Sequence, residues 1–331
     1  MFKKFADNRL FVTAVMLILA AAMSLNLGCG KTTPTTTTSA DPSASFPLTL
    51  VDDLGRSVTL QKIPQRIVSL APSNTEIVYA LGLGDRLVGV TEWCDYPPET
   101  AMKEKVGGYS DVNIEKVVNL NPDLILAEDI HKAEVIPALE KLGFSCYAVI
   151  PHNLTEIMAS VTTIGKLTGA AAEAEAIVAD MQARIDYISG KTAGLADTAK
   201  PRVLYVIWHG PLTSVGGNTP IHEMIRLAGG KSIVGDEVIG WPSLALEEVI
   251  SADPQIIAAN VESYPGGDAP LQAMLTEPRL SVVEAVKKSQ VYGINASLTN
   301  RPVPRIIQGF EWLAAIIHPE LFPEFVAEYM G

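Results

Sequence analysis

From Leu48 onward, short apolar runs alternate with amphipathic stretches. "RIVSL" precedes "SNTEIVYALGL", "RLVGVTEW" precedes a polar loop, "NIEKVVNL" precedes "DLILAE", and "AEVIPALEKLG" precedes "SCYAVI". Short continuous apolar runs bounded by turn residues read as strands covered on both faces. Apolar positions three and four apart read as helices, so the pattern predicts an α/β lobe with a largely parallel sheet. Between residues 153 and 190 the strands disappear, and "AAAEAEAIVADMQARIDYISG" predicts one long helix. The alternation then resumes with "RVLYVIW", "IHEMIRLAG", "SLALEEVISA", "QIIAAN", "VYGI" and a closing helix, "PRIIQGFEWLAAIIHPELF". The expected fold is therefore two Rossmann-like lobes, 48–168 and 200–331, with mainly parallel sheets. One long rigid helix within 169–199 bridges them, and a ligand cleft lies between the lobes. A continuous helix docked on both lobes permits little hinge motion, so that cleft should be nearly preformed.

One unit occurs twice. "NIEKVVNLNPDLILA" places Glu115 seven residues before Pro122, and "LEEVISADPQIIAA" places Glu247 seven before Pro254, with an apolar strand after each proline. A carboxylate in a helix's first turn complements the helix dipole, which alone accounts for either residue. Equivalent placement in both halves also fits a matched pair of anions, one per lobe.

The first 28 residues follow another pattern. Lys3, Lys4 and Arg9 form a basic head, "LFVTAVMLILAAAMSL" is apolar, and "NLGC" ends at Cys29, the grammar of a secretory signal. Gly28 before Cys29 suits cleavage that leaves a lipid-modified cysteine, although Asn26 stands where such boxes carry Leu and Leu25 comes one place early; a plain signal peptide cut elsewhere is the alternative. Residues 29–47 then supply the anchor cysteine and a Thr, Ser and Pro-rich leash too poor in apolar residues to fold, with a reach on the order of 20–30 Å. The expected location is extracytoplasmic, in the periplasm or on the outer face of the cell membrane.

Composition and charge narrow the chemistry. The 331 residues are 48% hydrophobic, enough for two cores. The net charge of −12 becomes more acidic once the basic leader is removed, which disfavours nucleic acid and anionic lipid as partners. No catalytic set is evident. "TIGKLTG" has Leu167 where a phosphate loop needs Ser or Thr, "GLGDRL" breaks the dinucleotide fingerprint, and neither GxSxG nor HExxH occurs. His131, His152, His209, His222 and His318 lack ligand spacing, so no dedicated metal site is expected.

The stretch "LAPSNTEIVYALGLGDRLVGVTEWCDYPPE", together with "NIEKVVNLNPDLILA", resembles the helix-linked (class III) periplasmic substrate-binding proteins of ABC importers. "CDYPPE", "GWPSLALEEVI" and "RPVPRIIQGFEWL" look most like the vitamin B12 binders of that class. The resemblance runs from about Leu48 to the C-terminus. It implies a non-enzymatic receptor with no cofactor of its own, whose ligand is cobalamin or a related corrinoid. Its partners would be an ABC permease dimer with cytoplasmic ATPase subunits, and the membrane through an N-terminal lipid. A ferric siderophore or haem binder of the same class is the alternative, and an exported α/β enzyme is the alternative of a different class. The family's 2-1-3-4 strand order would also put "VGVTEW" and "SCYAVI" at opposite edges, about 14 Å apart, too far for Cys94 and Cys146 to pair.

Ligands of open α/β folds bind beyond the carboxyl ends of the strands. Trp93, Tyr109, Trp208 and Trp241 stand at such ends or in the loops beyond, where flat apolar walls would suit a macrocycle; filling of core is the other use of such residues, as expected for Trp312. His209 could approach an axial face of cobalt or iron, or be an ordinary loop residue. Arg301 could meet a ligand's acidic group or pair with a nearby Asp or Glu. Glu115 and Glu247 align with the glutamates through which the B12 binders dock on their permease, with Glu248 the weaker partner. Glu128 and Leu298 depart from the pattern, standing in regions where those binders present tryptophan.

Overall fold

The computed structural model describes residues 45–262 and 267–330. The predicted signal, Cys29 and nearly all of the leash lie outside the described residues. The folded chain opens with an antiparallel hairpin that the apolar pattern did not announce, β1 (Leu48–Val51) paired with β2 (Ser57–Leu60). Val58 and Leu60 alternate inward from it.

The first lobe follows as β3 (Ile67–Ser69), α1 (Pro72–Ala80), β4 (Leu87–Val90), β5 (Glu104–Lys105), α2 (Ile114–Asn119), β6 (Leu124–Ala127), α3 (Val135–Lys141) and β7 (Cys146–Ala148). Its strands are parallel, in the order β5-β4-β3-β6-β7. The expected 2-1-3-4 order is thus present, with the short β5 added outside β4. Every residue of β6 is buried, the mark of a strand covered on both faces. Cys94 and Cys146 are buried and free; burial raises the Cys146 thiol to about 12.

Two helices then connect the lobes, α4 (Leu154–Thr168) and α5 (Ala171–Thr192). The expected long helix is α5, and α4 shares its task. Leu154, Ile157 and Met158 of α4 pack into the second lobe's core, and Val161, Ile164 and Leu167 into the first. Along α5, Ala174 lies in the first core, Met181, Ile185 and Ile188 in the second, and Ile177 and Val178 touch both. The bridge is therefore a helical hairpin, and the boundary expected at residue 168 divides it in the middle. Gly169 makes the reversal possible with φ +73°. Gly165 lets the helices touch: a Cβ there would lie 2.5 Å from Ala174 Cβ. Glu223 of the second lobe accepts a hydrogen bond from the Leu154 N–H at the start of α4 (2.8 Å).

The second lobe comprises β8 (Arg202–Val206), β9 (Trp208–His209), β10 (Leu212–Thr213), α6 (Pro220–Leu227), β11 (Lys231–Ser232), α7 (Leu246–Ala252), β12 (Ile256–Val261), α8 (Ala269–Thr276), α9 (Glu284–Lys287), β13 (Val291–Asn295), α10 (Ala296–Thr299), α11 (Ile306–Ile317) and α12 (Pro323–Tyr329). Its parallel sheet runs β11-β8-β12-β13. Helices α2 and α7 each precede an interior strand of their sheet, β6 and β12, so the sequence repeat is a structural repeat. Trp312 is half-buried, packed against the second core and stacked on Tyr329.

Candidate functional site

A cavity of about 390 Å³ lies between the lobes, beyond the carboxyl ends of β3, β4 and β6. The first lobe supplies Ser73, Trp93, Tyr109 and Glu128; the second supplies Asn300 and Arg301. Of the four aromatic residues singled out in the sequence, Trp93 and Tyr109 line this cavity. A larger cavity of about 500 Å³, lined by Glu76, Tyr79, Tyr96, Glu99 and Arg305, opens away from the strand ends. Position relative to the sheet favours the smaller one as the ligand site.

The two exposed tryptophans of the second lobe, Trp208 and Trp241, stand outside this cavity. Trp208 and His209 form β9, paired with β10 just past the end of β8, and their rings lie 4.7 Å apart. The Trp208 indole N–H donates to the Gly210 carbonyl (3.1 Å). Trp241 follows Gly240 in a stretch that pairs with residues 213–216. Trp93, Trp208 and Trp241 are 66, 44 and 52% exposed, so these three side chains are surface and not core. Trp208, His209 and Trp241 do not line the 390 Å³ cavity.

Arg301 is held by carboxylates. Its Nη1 donates to Glu76 (2.9 Å) and Asp95 (2.5 Å), and its Nη2 to Asp95 (3.1 Å). Arg305 donates to the same Glu76 (2.5 and 2.8 Å) and lies 4.1 Å from the centre of the Tyr96 ring. Between the two arginines, Val303 is fully buried in the first lobe's core. The segment "RPVPR" is thus a second tie between the lobes. Burial works against charge on Asp95, but its hydrogen bond and proximity to Arg301 outweigh this and hold its carboxyl below the usual range. Glu262, past the end of β12, is shifted upward by burial, with Asp95 adding to the effect and Arg301 opposing it.

Glu128 is the centre of the other polar network. It accepts hydrogen bonds from Tyr109 Oη (2.5 Å) and Ser73 Oγ. The Glu128 backbone N–H donates to His131 Nδ1 (3.0 Å), so Nε2 carries the ring proton and donates to the Tyr109 carbonyl (2.9 Å). Burial lowers the His131 pKa, consistent with this neutral tautomer. His131 therefore positions the Tyr109 loop and is not a cation for the ligand. Burial first, and the Glu128 carboxylate second, push the Tyr109 phenol well above its ordinary value.

Sequence reasoning missed Glu76, Asp95, Arg305 and Glu262, whose partners lie far away in the chain. The available signal was an acidic residue in the otherwise apolar "APSNTEIVYALG" and two arginines in five residues.

On the outer surface, Glu115 and Glu247 are both exposed in the first turns of α2 and α7. Glu247 is 3.7 Å from Arg279 in an exposed pair. Glu248 instead accepts from the Ala245 N–H (2.6 Å), capping its own helix. Among the described residues, no three His, Cys, Asp or Glu side chains are grouped to hold a metal, and no helix is long and apolar enough to cross a membrane.

The sequence pattern of the periplasmic binding proteins matches residues 67–298. An uncharacterized ABC transporter substrate-binding lipoprotein of Bacillus subtilis is 33% identical over 314 residues, covering 93% of this chain and 97% of the relative. A cobalamin-binding protein of Halobacterium salinarum is 32% identical over 317 residues, covering 93% and 84%. The crystal structure of the periplasmic vitamin B12 binding protein of Vibrio cholerae superposes with a TM-score of 0.67 at 29% identity, covering 77% of this chain and 96% of that one.

Proposed function

This chain belongs to the periplasmic binding protein family, and on that premise we propose that it captures cobalamin or a related corrinoid between its lobes and delivers it to an ABC permease. On this reading it performs no covalent chemistry, is held outside the cytoplasm by a lipid on Cys29, uses Trp93 and Tyr109 as walls of the cavity, and offers Trp208 and Trp241 to the part of a broad ligand that extends beyond it. The observation that carries the ligand class is the charge balance of the cleft. Glu128 and Arg301 are the charged residues that line the cavity, and Arg301 is already paired with Glu76 and Asp95, the former shared with Arg305. Haem propionates or an anionic ferric siderophore would have to break those pairs, whereas a broad neutral macrocycle would not. The names of the Halobacterium and Vibrio relatives support the same ligand.

Calorimetry of residues 45–331 against cyanocobalamin, haemin and a ferric siderophore tests this reading. One-to-one binding of cyanocobalamin is expected; heat from haemin or the siderophore alone would overturn the corrinoid assignment.

A further inference from the structure

We propose that Glu128 is the specificity residue of the cleft: its carboxylate favours corrinoids that carry positive charge and selects against macrocycles that carry carboxylates. The inference rests on the corrinoid reading and refines it to a subclass, cationic corrinoids such as aquated cobinamide.

Glu128 follows the fully buried "LILA" of β6, the strand inside the first lobe's sheet, so its backbone is fixed by the core. Its side chain lines the cavity together with Ser73, Tyr109 and Arg301. Two side-chain hydroxyls orient the carboxylate, one on each oxygen. Each oxygen therefore keeps acceptor capacity for a ligand's donor. The backbone on either side is also locked, because His131 joins the Glu128 N–H to the Tyr109 carbonyl. A ligand meets a preoriented acceptor with little side-chain freedom left to lose.

The charge on this carboxylate is uncompensated. Its partners are neutral hydroxyls, and the high pKa of Tyr109 keeps that phenol a proton donor to Glu128. Arg301, the cation on the cavity wall, is spent on Glu76 and Asp95. Lys132, four residues along, is exposed and paired with Asp129 at 2.7 Å. Among the described residues, no Lys or Arg pairs with Glu128. An unpaired charge on a largely apolar wall acts on ligand charge more strongly once a bound ligand excludes solvent from between them. It attracts a cationic cobalt centre and the amide N–H groups of a corrin rim, and it repels carboxylates.

The test uses the full chain and the variant Glu128→Gln, which keeps the shape and an acceptor but removes the charge. Three probes are titrated: aquated cobinamide, a cation; cyanocobalamin, neutral overall; and haemin, with two carboxylates. The expected result is a loss of about tenfold or more in affinity for aquated cobinamide, a change of less than about threefold for cyanocobalamin, and tighter haemin binding. Equal changes for all three, or no change for the cation, would overturn the inference. The salt dependence of the unmodified protein provides a second measurement that does not depend on the variant folding. Affinity for aquated cobinamide should fall with ionic strength more steeply than affinity for cyanocobalamin, and equal slopes would overturn the inference. If the unmodified protein binds neither corrinoid, the parent reading fails; if it binds both and ignores the charge at position 128, only this inference fails.

Discussion

Trp208 and Trp241 are half-exposed on the second lobe, so Trp208→Ala or Trp241→Ala should weaken ligand binding by about 2 kcal/mol, roughly thirtyfold, with little change in melting temperature. Calorimetry and thermal unfolding, run together, check this; lost stability with unchanged affinity would make them packing residues. Asp95 gives a pH test. Its carboxyl titrates below the ordinary 3.8 in the folded chain, so its stabilising pairing with Arg301 is complete above that value and is lost as pH falls through the depressed one. Unfolding of the native chain and Asp95→Asn should therefore differ at neutral pH and converge as pH drops below about 4. The difference will be modest, because the Asp95 side chain is 64% exposed. These residues were unequally legible in the sequence. An aromatic at a strand end or in the loop beyond is a local signal, and it picked out Trp208 and Trp241 as candidates for something other than core. Glu76 and Arg301 lie 225 residues apart in sequence and become partners only once two lobes are folded and docked, so periodicity carried no trace of their pairing.

At the level of elements, the bridge is the part to perturb. Helices α4 and α5 touch where Gly165 meets Ala174, and close-packed interiors resist an added side chain. Gly165→Val should cost roughly 1–3 kcal/mol by denaturant unfolding. It should also change ligand affinity, since both helices carry side chains of both cores. Long elements with strong periodicity were readable: α5, the capped α2, α7 and the proline-marked strands all follow from local pattern. Strands β5, β9, β10 and β11 have two residues each, too short for any period to show, and their place depends on neighbours already in position. Likewise, nothing in "LTEIMASVTTIGKLT" distinguished a helix of one lobe from half of a bridge. Its apolar face is continuous, and only the fold divides that face between two cores.

For the molecule as a whole, the repeat of α2 and α7 puts Glu115 and Glu247 at matching places, one on each lobe. The Arg279 pairing of Glu247 is exposed and weak enough to give way to a partner. Replacing both glutamates with Lys should leave corrinoid affinity unchanged and abolish uptake and stimulation of the transporter's ATPase. Normal uptake by the double variant would reduce both residues to helix-dipole partners.

The lobes are tied by a helical hairpin along one path and by "RPVPR" along another, with Val303 buried in the opposite core. A chain fastened at two places should keep nearly the same outline empty or full, and a docking partner that reads only the two outer lips would then not tell cargo from vacancy. On the proposed reading, empty receptors then queue for the same transporter as loaded ones and act as competitive inhibitors of import. The cell's yield of ligand would pass through a maximum as receptor copy number rises, and beyond that point more receptor would mean less delivery.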